Sequence, residues 1–287
     1  MNIAVISNHD KDPALRYTRL LCSRLLELGA AVQVEKAVAK HLGLPLQGTG
    51  WKELLHGADA LIALGGDGTI LHAAKEVVGT GIPVLGVNIG HLGFMAGLEA
   101  DELDSLGRLL RRDYAIDDRM LLRVEVRQGS GDRQETHVFS ALNDAVISKG
   151  ALSRIIDISL TCNGQPSGKY RADGIIISTP TGSTAYSLSA GGPVVDPVLE
   201  SIEITPICPH SLTARSILFS PSTVIGLVPE RLEEREVFLT VDGQESVRLH
   251  SPVEIRIFRA EEKVHFIRFK NDSFYETLYT KFAERGI

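Results

Sequence analysis

The sequence predicts an α/β domain with a parallel sheet, followed by a mostly antiparallel, β-rich domain. Three observations carry this expectation. Up to Arg112, apolar runs long enough for one buried strand alternate with stretches of helical periodicity, the order expected of a parallel sheet covered on both faces. From Met120 onward, short β-like runs follow one another, divided by turn residues. Within the first part, residues 60–74 read ALIALGGDGTILHAA: a strand, a glycine turn and a helix in immediate succession.

Residues 2–7 (NIAVIS) form an apolar strand. Residues 13–28 are amphipathic, with Leu15, Leu20, Leu21, Leu25 and Leu28 near helical spacing, and Gly29 stops the helix. Residues 30–35 form a second strand. The segment to Gly50 reads as irregular, and 51–55 as a short helix. The central strand spans 60–64, and a helix-like run occupies 70–78 after the glycines. Residues 82–87 (IPVLGV) give another strand, 88–97 (NIGHLGFMAG) a glycine-marked loop, and 100–112 a helix. In that loop, Phe94 and Met95 could line a ligand pocket or plug the core.

The pattern changes near Tyr114, placing the boundary at about 113–118. The first domain is therefore 1–115 and the β-rich one 116–264, with a tail, 265–287, that packs back on the first. Strands are expected over 121–127, 137–146, 155–162 and 174–179, then near 216–219, 224–227, 236–241 and 253–258. Asn163-Gly164 is a hairpin cue between two of them. The tail holds a strand-like HFIRF and a helical stretch over 273–282. The chain contains no repeat and no low-complexity tract.

Several function classes are disfavoured. A net charge of −6 with no lysine- or arginine-rich block argues against broad nucleic-acid binding. The short RLLRR cluster at 108–112 reads as a solvated helix face. No apolar segment approaches the ~20 residues that span a bilayer, and MNIAVISNHD is not an export signal. Cys22, Cys162 and Cys208 are odd in number, widely spaced and without Cys-x-x-Cys. They describe neither a zinc site nor a disulfide framework, so a cytoplasmic location is expected.

Two stretches carry chemistry. In Gly65-Gly66-Asp67-Gly68-Thr69 the glycines permit a tight turn and close approach of a ligand. The amides that open the following helix attract anions. A carboxylate inside such a turn repels phosphate, so Asp67 reads as a reactive group beside the phosphates, the alternative being a simple helix N-cap. In a parallel sheet it falls at the carboxyl ends of the strands, where ligands bind. The second stretch, 171–189, reads RADGIIISTPTGSTAYSLS. Thr179, Thr181, Ser183, Thr184, Tyr186, Ser187 and Ser189 crowd a turn behind a buried strand. Such donors, if buried, call for a polar ligand.

Together these stretches resemble the NAD kinase family. The resemblance rests on Gly-Gly-Asp-Gly at 65–68, Asn143-Asp144, the Asp-Gly…Ser-Thr-Pro-x-Gly-Ser-Thr-Ala-Tyr block at 173–186, the loop at 88–94 and the PICPHSLTAR segment at 206–215. It covers nearly the whole chain in order. It implies a kinase that makes NADP from NAD and ATP, with Mg²⁺ or another divalent cation accompanying ATP, and an active site in the crevice between the two domains. Asp67 would take the proton of the 2′-hydroxyl of the adenosine ribose. Gly65, Gly66, Gly68 and Thr69 would cradle phosphate.

The resemblance also implies a nucleotide-binding set. Asn143 and Asp144 would hold ribose hydroxyls, and Asp173 and Ala185 would lie at the nicotinamide end. Thr184, Ala185, Tyr186, Ser187, Leu188 and Ser189 would contact adenine and ribose, with Phe94 and Thr181 in the same set. Arg154 and Arg171 would touch the dinucleotide or a partner subunit. His72 and Gln244 fall at weaker ligand positions, Gln244 beside an Asp-Gly pair that is a hairpin cue in its own right. The family's members are homo-oligomers whose sites form partly across subunits. Two departures stand out. Asp144 occupies a position where many relatives carry glutamate. No Gly-Lys-Ser/Thr follows the glycines, so the turn lacks a phosphate-binding lysine, and the metal ligands are left open. A lipid or sugar kinase sharing the glycine motif, or a non-catalytic dinucleotide sensor, are the alternatives. A Rossmann dehydrogenase is disfavoured, since no Gly-x-Gly-x-x-Gly follows a strand.

Overall fold

The computed structural model describes residues 1–90, 93–152, 154–269 and 274–284. It divides into two compact units, Met1–Asp118 with Val264–Ile287, and Arg119–Lys263.

In the first unit the chain runs through β1 (Asn2–Ser7), α1 (Arg16–Glu27), β2 (Ala31–Glu35), α2 (Lys36–Leu42), β3 (Gln47–Thr49), β4 (Ala60–Gly65), α3 (Asp67–Glu76), β5 (Val84–Asn88), β6 (Leu98–Glu99) and α4 (Leu106–Leu110). The sheet order is β5-β4-β1-β2-β3, with every neighbouring pair parallel. All residues of β4 and β5 are buried, which is why they read as unbroken apolar runs. Leu21, Cys22 and Leu25 of α1 share one core with Ile3, Val5 and Val32.

Four expectations are corrected here. The stretch read as irregular contains α2 and β3. Its sequence signal is weak, since α2 has only seven residues and buries just Val38 and Leu42. The helix expected over 100–112 is a 3₁₀ turn, Leu103–Ser105, followed by the five-residue α4. The helix expected from 13 begins at Arg16, where the Asp12 carboxylate accepts the amides of Tyr17 and Thr18 at 3.2 and 2.8 Å. The short helix expected over 51–55 is a 3₁₀ turn, Trp51–Glu53. Gly29, at φ +82°, ends α1 as expected.

The chain then continues through β7 (Ala115–Gln128), β8 (Glu135–Ala141), β9 (Asp144–Lys149), β10 (Ile156–Cys162), β11 (Gln165–Ala172), β12 (Gly174–Ser178), α5 (Tyr186–Ser189), β13 (Ile202–Ile207), β14 (Ile217–Phe219), β15 (Ile225–Pro229), β16 (Val237–Val241), β17 (Glu245–Arg248) and β18 (Val253–Arg268). In the second unit β14-β13-β12-β9-β16-β17 form one antiparallel sheet. β11-β10-β15-β18 pair antiparallel, as do β7 and β8. Side chains from both sets meet in one core, among them Ile147, Ile175 and Leu239 with Ile158, Leu227 and Ile255.

Asn163 and Gly164, at φ +50° and +78°, form the hairpin turn that their sequence signals. The single strand expected over 137–146 is two strands, because the Asp242 carboxylate draws off the amides of residues 142–144. β11, polar and exposed along most of its length, and β13, with Pro206 inside it, were not expected. β14 pairs only with Ile202, Glu203 and Ile204, so Pro206 lies beyond that pairing. The strand-like run at 253–258 and the run from 265 as far as Arg268 are joined in β18.

After β18 comes α6 (Phe274–Glu284). Ser273, expected in that helix, and His91 and Leu92 of the expected glycine loop lie outside the described residues. Among the described residues no helix is long and apolar enough to cross a membrane.

Candidate functional site

In the first unit the site forms where β4 meets α3. Gly65 ends the strand and Asp67 begins the helix, so Gly66 alone makes the turn and is the N-cap. The helix starts three residues earlier than its apolar periodicity indicates, since Gly68 and Thr69 carry no apolar signal. The capping alternative for Asp67 is thereby corrected. Its Oδ2 accepts the amide of Phe94 at 3.0 Å and its Oδ1 the amide of Met95 at 3.1 Å. Those amides are presented by a loop fixed from its other side. The Arg268 guanidinium donates to the carbonyls of Phe94, Met95 and Ala96, and pairs with Asp117 at 3.1 Å. Met95 is buried; Phe94 is half-buried and lies 6.2 Å from the Phe274 ring.

The glycines serve close approach. A Cβ on Gly65 would collide with the side chain of Thr69, while Gly66 lies against the movable end of Lys11. Gly68 is exposed. Asn8, which follows β1, donates from Nδ2 to Thr69 Oγ1 at 2.9 Å. Asn8, Gly68, Thr69, Trp51 and His72 border a pocket of about 310 Å³. The exposed His72 stacks on Trp51, with ring centroids 5.6 Å apart and planes at 11°. A stacked aromatic pair and open helix amides suit a nucleotide's base and phosphates.

In the second unit the hydroxyl-rich turn folds against residues 142–144. Thr179 donates from Oγ1 to the Leu142 carbonyl at 2.5 Å, and its amide bonds the Asn143 carbonyl at 2.9 Å. A Cβ on Gly182 would collide with the Asn143 backbone. Asp242 accepts the amides of Leu142, Asn143 and Asp144 at 3.0, 2.8 and 3.0 Å. Burial, reinforced by that neighbouring carboxylate, pushes Asp144 up to about 7.

The buried hydroxyls do not wait for a ligand, which corrects the expectation drawn from their number. Ser183 Oγ donates to the Pro180 carbonyl at 2.7 Å, and Thr181 Oγ1 accepts from Arg119 at 3.2 Å. Ser187 bonds Glu203 Oε1 at 2.8 Å and Thr205 at 2.9 Å, while Ser178 bonds Glu203 Oε2 at 3.2 Å. Thr184, Ala185 and Leu188 are half-buried, and Tyr186 and Ser189 are exposed. The outer face of this turn is thus the part that remains open. Asp173 forms an ion pair with Lys149 at 2.9 Å. Arg171 is exposed on β11, opposite Asp157. Arg154 precedes β10 and Gln244 lies between β16 and β17, both exposed. The structure thus joins Asn143 and Asp144 to the 179–182 turn, while Arg154 stands before β10 and Arg171 on β11. Asp242, Glu203, Lys149, Arg268 and Lys281 were not singled out from sequence. Only Asp242 had a signal, the Asp-Gly pair beside Gln244.

Residues 3–114 match the model of the ATP-NAD kinase N-terminal domain, and residues 142–269 that of the ATP-NAD kinase C-terminal domain. The chain is 42% identical over 284 residues to the NAD kinase of Caldanaerobacter subterraneus subsp. tengcongensis, with 99% of both chains covered. The chain belongs to the NAD kinase family. It is 44% identical over 253 residues to the NAD kinase of Geobacter metallireducens, covering 86% of each. Yeast NADH kinase complexed with NADH superimposes with a TM-score of 0.88 at 25% identity, over 97% of this chain and 86% of that one. An NAD kinase from Archaeoglobus fulgidus in complex with ATP gives 0.72 at 26%, over 98% of both. Family membership over nearly the full length makes the protein an enzyme, a kinase of two-domain architecture.

Proposed function

We propose that the protein transfers the γ-phosphoryl group of ATP to the 2′-hydroxyl of the adenosine ribose of NAD, with Asp67 as general base. The carrying observation is the Asp67 carboxylate, oriented through both oxygens by the Phe94 and Met95 amides at the mouth of a glycine turn. A ribose hydroxyl is a weak nucleophile at neutral pH, and a positioned carboxylate accelerates its attack by roughly 10²–10⁴-fold. The 2′-oxygen gives its proton to Asp67 and forms a bond to the γ-phosphorus. The bond from that phosphorus to the β–γ bridging oxygen breaks, and ADP leaves with the electron pair.

Gly65, Gly66, Gly68 and Thr69 offer backbone amides and a hydroxyl to the phosphates. Asn143 and Asp144 hold ribose hydroxyls, and Asp173 and Ala185 take the nicotinamide end. Thr181 and the outer face of 184–189 take adenine and ribose, with Phe94, His72 and Gln244 as further contacts. Arg154 and Arg171 meet phosphate or a partner subunit. Among the described residues no three His, Cys, Asp or Glu side chains gather as a metal cage. Mg²⁺ accompanies ATP as part of the substrate and neutralises the oxygens being transferred. Leu152 and Leu212, 99% and 95% exposed, are apolar surface that a homo-oligomer would cover; the native mass in solution tests this.

Purified protein incubated with ATP, Mg²⁺ and NAD is expected to form NADP, and Asp67→Asn to lose turnover while still binding NAD. Absence of NADP with wild-type protein overturns the reading. Binding of NAD without turnover would mark a sensor.

A further inference from the structure

The glycine turn carries no lysine of its own; Lys11 reaches Gly66, and the C-terminal helix brings a second lysine to Asp67. Lys281, in α6, places Nζ 3.6 Å from Asp67 Oδ2. The same nitrogen lies 4.0 Å from the centre of the Phe94 ring. The Lys281 side chain is 13% exposed, against 37% for Asp67, so the ammonium is largely covered while the carboxylate opens outward. We propose that Lys281 is a catalytic residue of the phosphoryl transfer, its ammonium neutralising the oxygens of the γ-phosphoryl group as Asp67 takes the ribose proton. This rests on the assignment of Asp67 as base.

The argument is one of charge. A covered ammonium needs an anion beside it, and before reaction Asp67 is that anion. When the ribose 2′-hydroxyl delivers its proton, Asp67 becomes neutral and its attraction for Lys281 falls away. In the same step negative charge spreads over the transferring group and onto the leaving ADP oxygen. The ammonium is then left beside the group that has gained what Asp67 lost. Lys281 stays protonated throughout. It gives no proton and forms no bond; only its ionic partner changes, from Oδ2 to a phosphoryl oxygen. Preorganised charge of this kind, aimed at developing oxyanions in a partly dry site, is typically worth 10²–10³-fold in kcat. The Phe94 ring holds the ammonium in place through its negative face without competing as a hydrogen-bond acceptor.

The test uses the full chain with ATP, Mg²⁺ and NAD. Lys281→Met is expected to lower kcat by about 10²–10³-fold, with the Kd for NAD within about threefold of wild type. Lys281→Arg, which keeps the charge, is expected to recover at least about tenfold of the loss. Ethylammonium added to Lys281→Ala is expected to restore turnover in a saturable manner. The proposal is overturned if Lys281→Met turns over within about threefold of wild type. It is also overturned if kcat falls but neither arginine nor ethylammonium restores it, the result of a merely structural strut. Failure of the wild-type protein to make NADP overturns the assigned reaction together with this role. An active wild type, an inactive Asp67→Asn and a normal Lys281→Met would overturn the lysine's role alone.

Discussion

Gly93 lies so close to Asp67 that a Cβ at residue 93 would collide with Oδ1 and press on Cγ at 3.1 Å. The carboxylate is therefore confined between a bare Cα and the two amides that follow it in the loop. Gly93→Ala must push the carboxylate off the Phe94 and Met95 amides or displace the loop that carries them. A misplacement of about 1 Å in a reacting group can cost on the order of 10²-fold in rate. The expected outcome is a kcat lower by about 10–100-fold with the Kd for NAD little changed, measured by steady-state kinetics and calorimetry. An unaltered kcat would show that the confinement plays no part in turnover.

Much of this site was legible because its chemistry is written in local runs. A carboxylate among glycines between an apolar strand and a helix stands out, and so does a turn crowded with hydroxyls. The supporting groups are not local. Arg268 reaches the 94–96 carbonyls from more than 170 residues away in sequence. Asp242 holds amides about 100 residues upstream. Both hold these loops through backbone atoms, which any sequence supplies, and only the Asp-Gly pair marks Asp242 in the sequence. Lys281 lies in a helix whose apolar pattern says nothing of what its ammonium meets. The fold behaves alike. Buried parallel strands announce themselves, whereas β11 is mostly polar and exposed, and β8 and β9 read as one run until Asp242 is seen to part them.

Glu203 is a buried carboxylate supported by hydroxyls. It lies on β13, receives Ser178, Ser187 and Thr205, and fixes the first turn of α5 through Ser187. Replacement by alanine leaves the buried Ser178 hydroxyl without its acceptor, at about 1–3 kcal/mol for a buried group left unsatisfied, and leaves Ser187 and Thr205 only each other and Ser216. Glu203→Ala is expected to lower unfolding stability by at least that amount and to raise the KM for NAD, since the outer face of α5 loses its support. Glu203→Gln keeps one acceptor oxygen and is expected to fall between the two. Chemical denaturation and NAD titration check both, and equal stability of all three proteins would contradict the network's role.

Asp144 gives a pH dependence whose sign follows from its surroundings. Burial first, and the Asp242 carboxylate second, raise its pKa in the fold from 3.8 to about 7. The unfolded chain therefore releases this proton at lower pH than the folded chain does. Stability is unaffected below about pH 4, falls as pH rises from there to about 7, and is level above it. At 1.36 kcal/mol per unit the full span comes to about 4 kcal/mol. Asp144→Asn removes the titration while keeping the shape. The variant is thus expected to gain on wild type as pH increases, the difference in unfolding free energy widening by about 2–3 kcal/mol between pH 5 and pH 8. Denaturant titrations of both proteins at the two pH values check this; a constant difference would mean that Asp144 ionises in the fold much as it does in water. If it ionises only near neutrality, the carboxyl can donate one hydrogen bond in acid but only accept in base. Vicinal ribose hydroxyls, which donate as a pair, then meet their matching acceptor above pH 7, where the fold tolerates that charge least. Bound NAD is expected to offset part of the loss, so its protection of the wild type against denaturant should grow from pH 6 to pH 8 and stay level in Asp144→Asn.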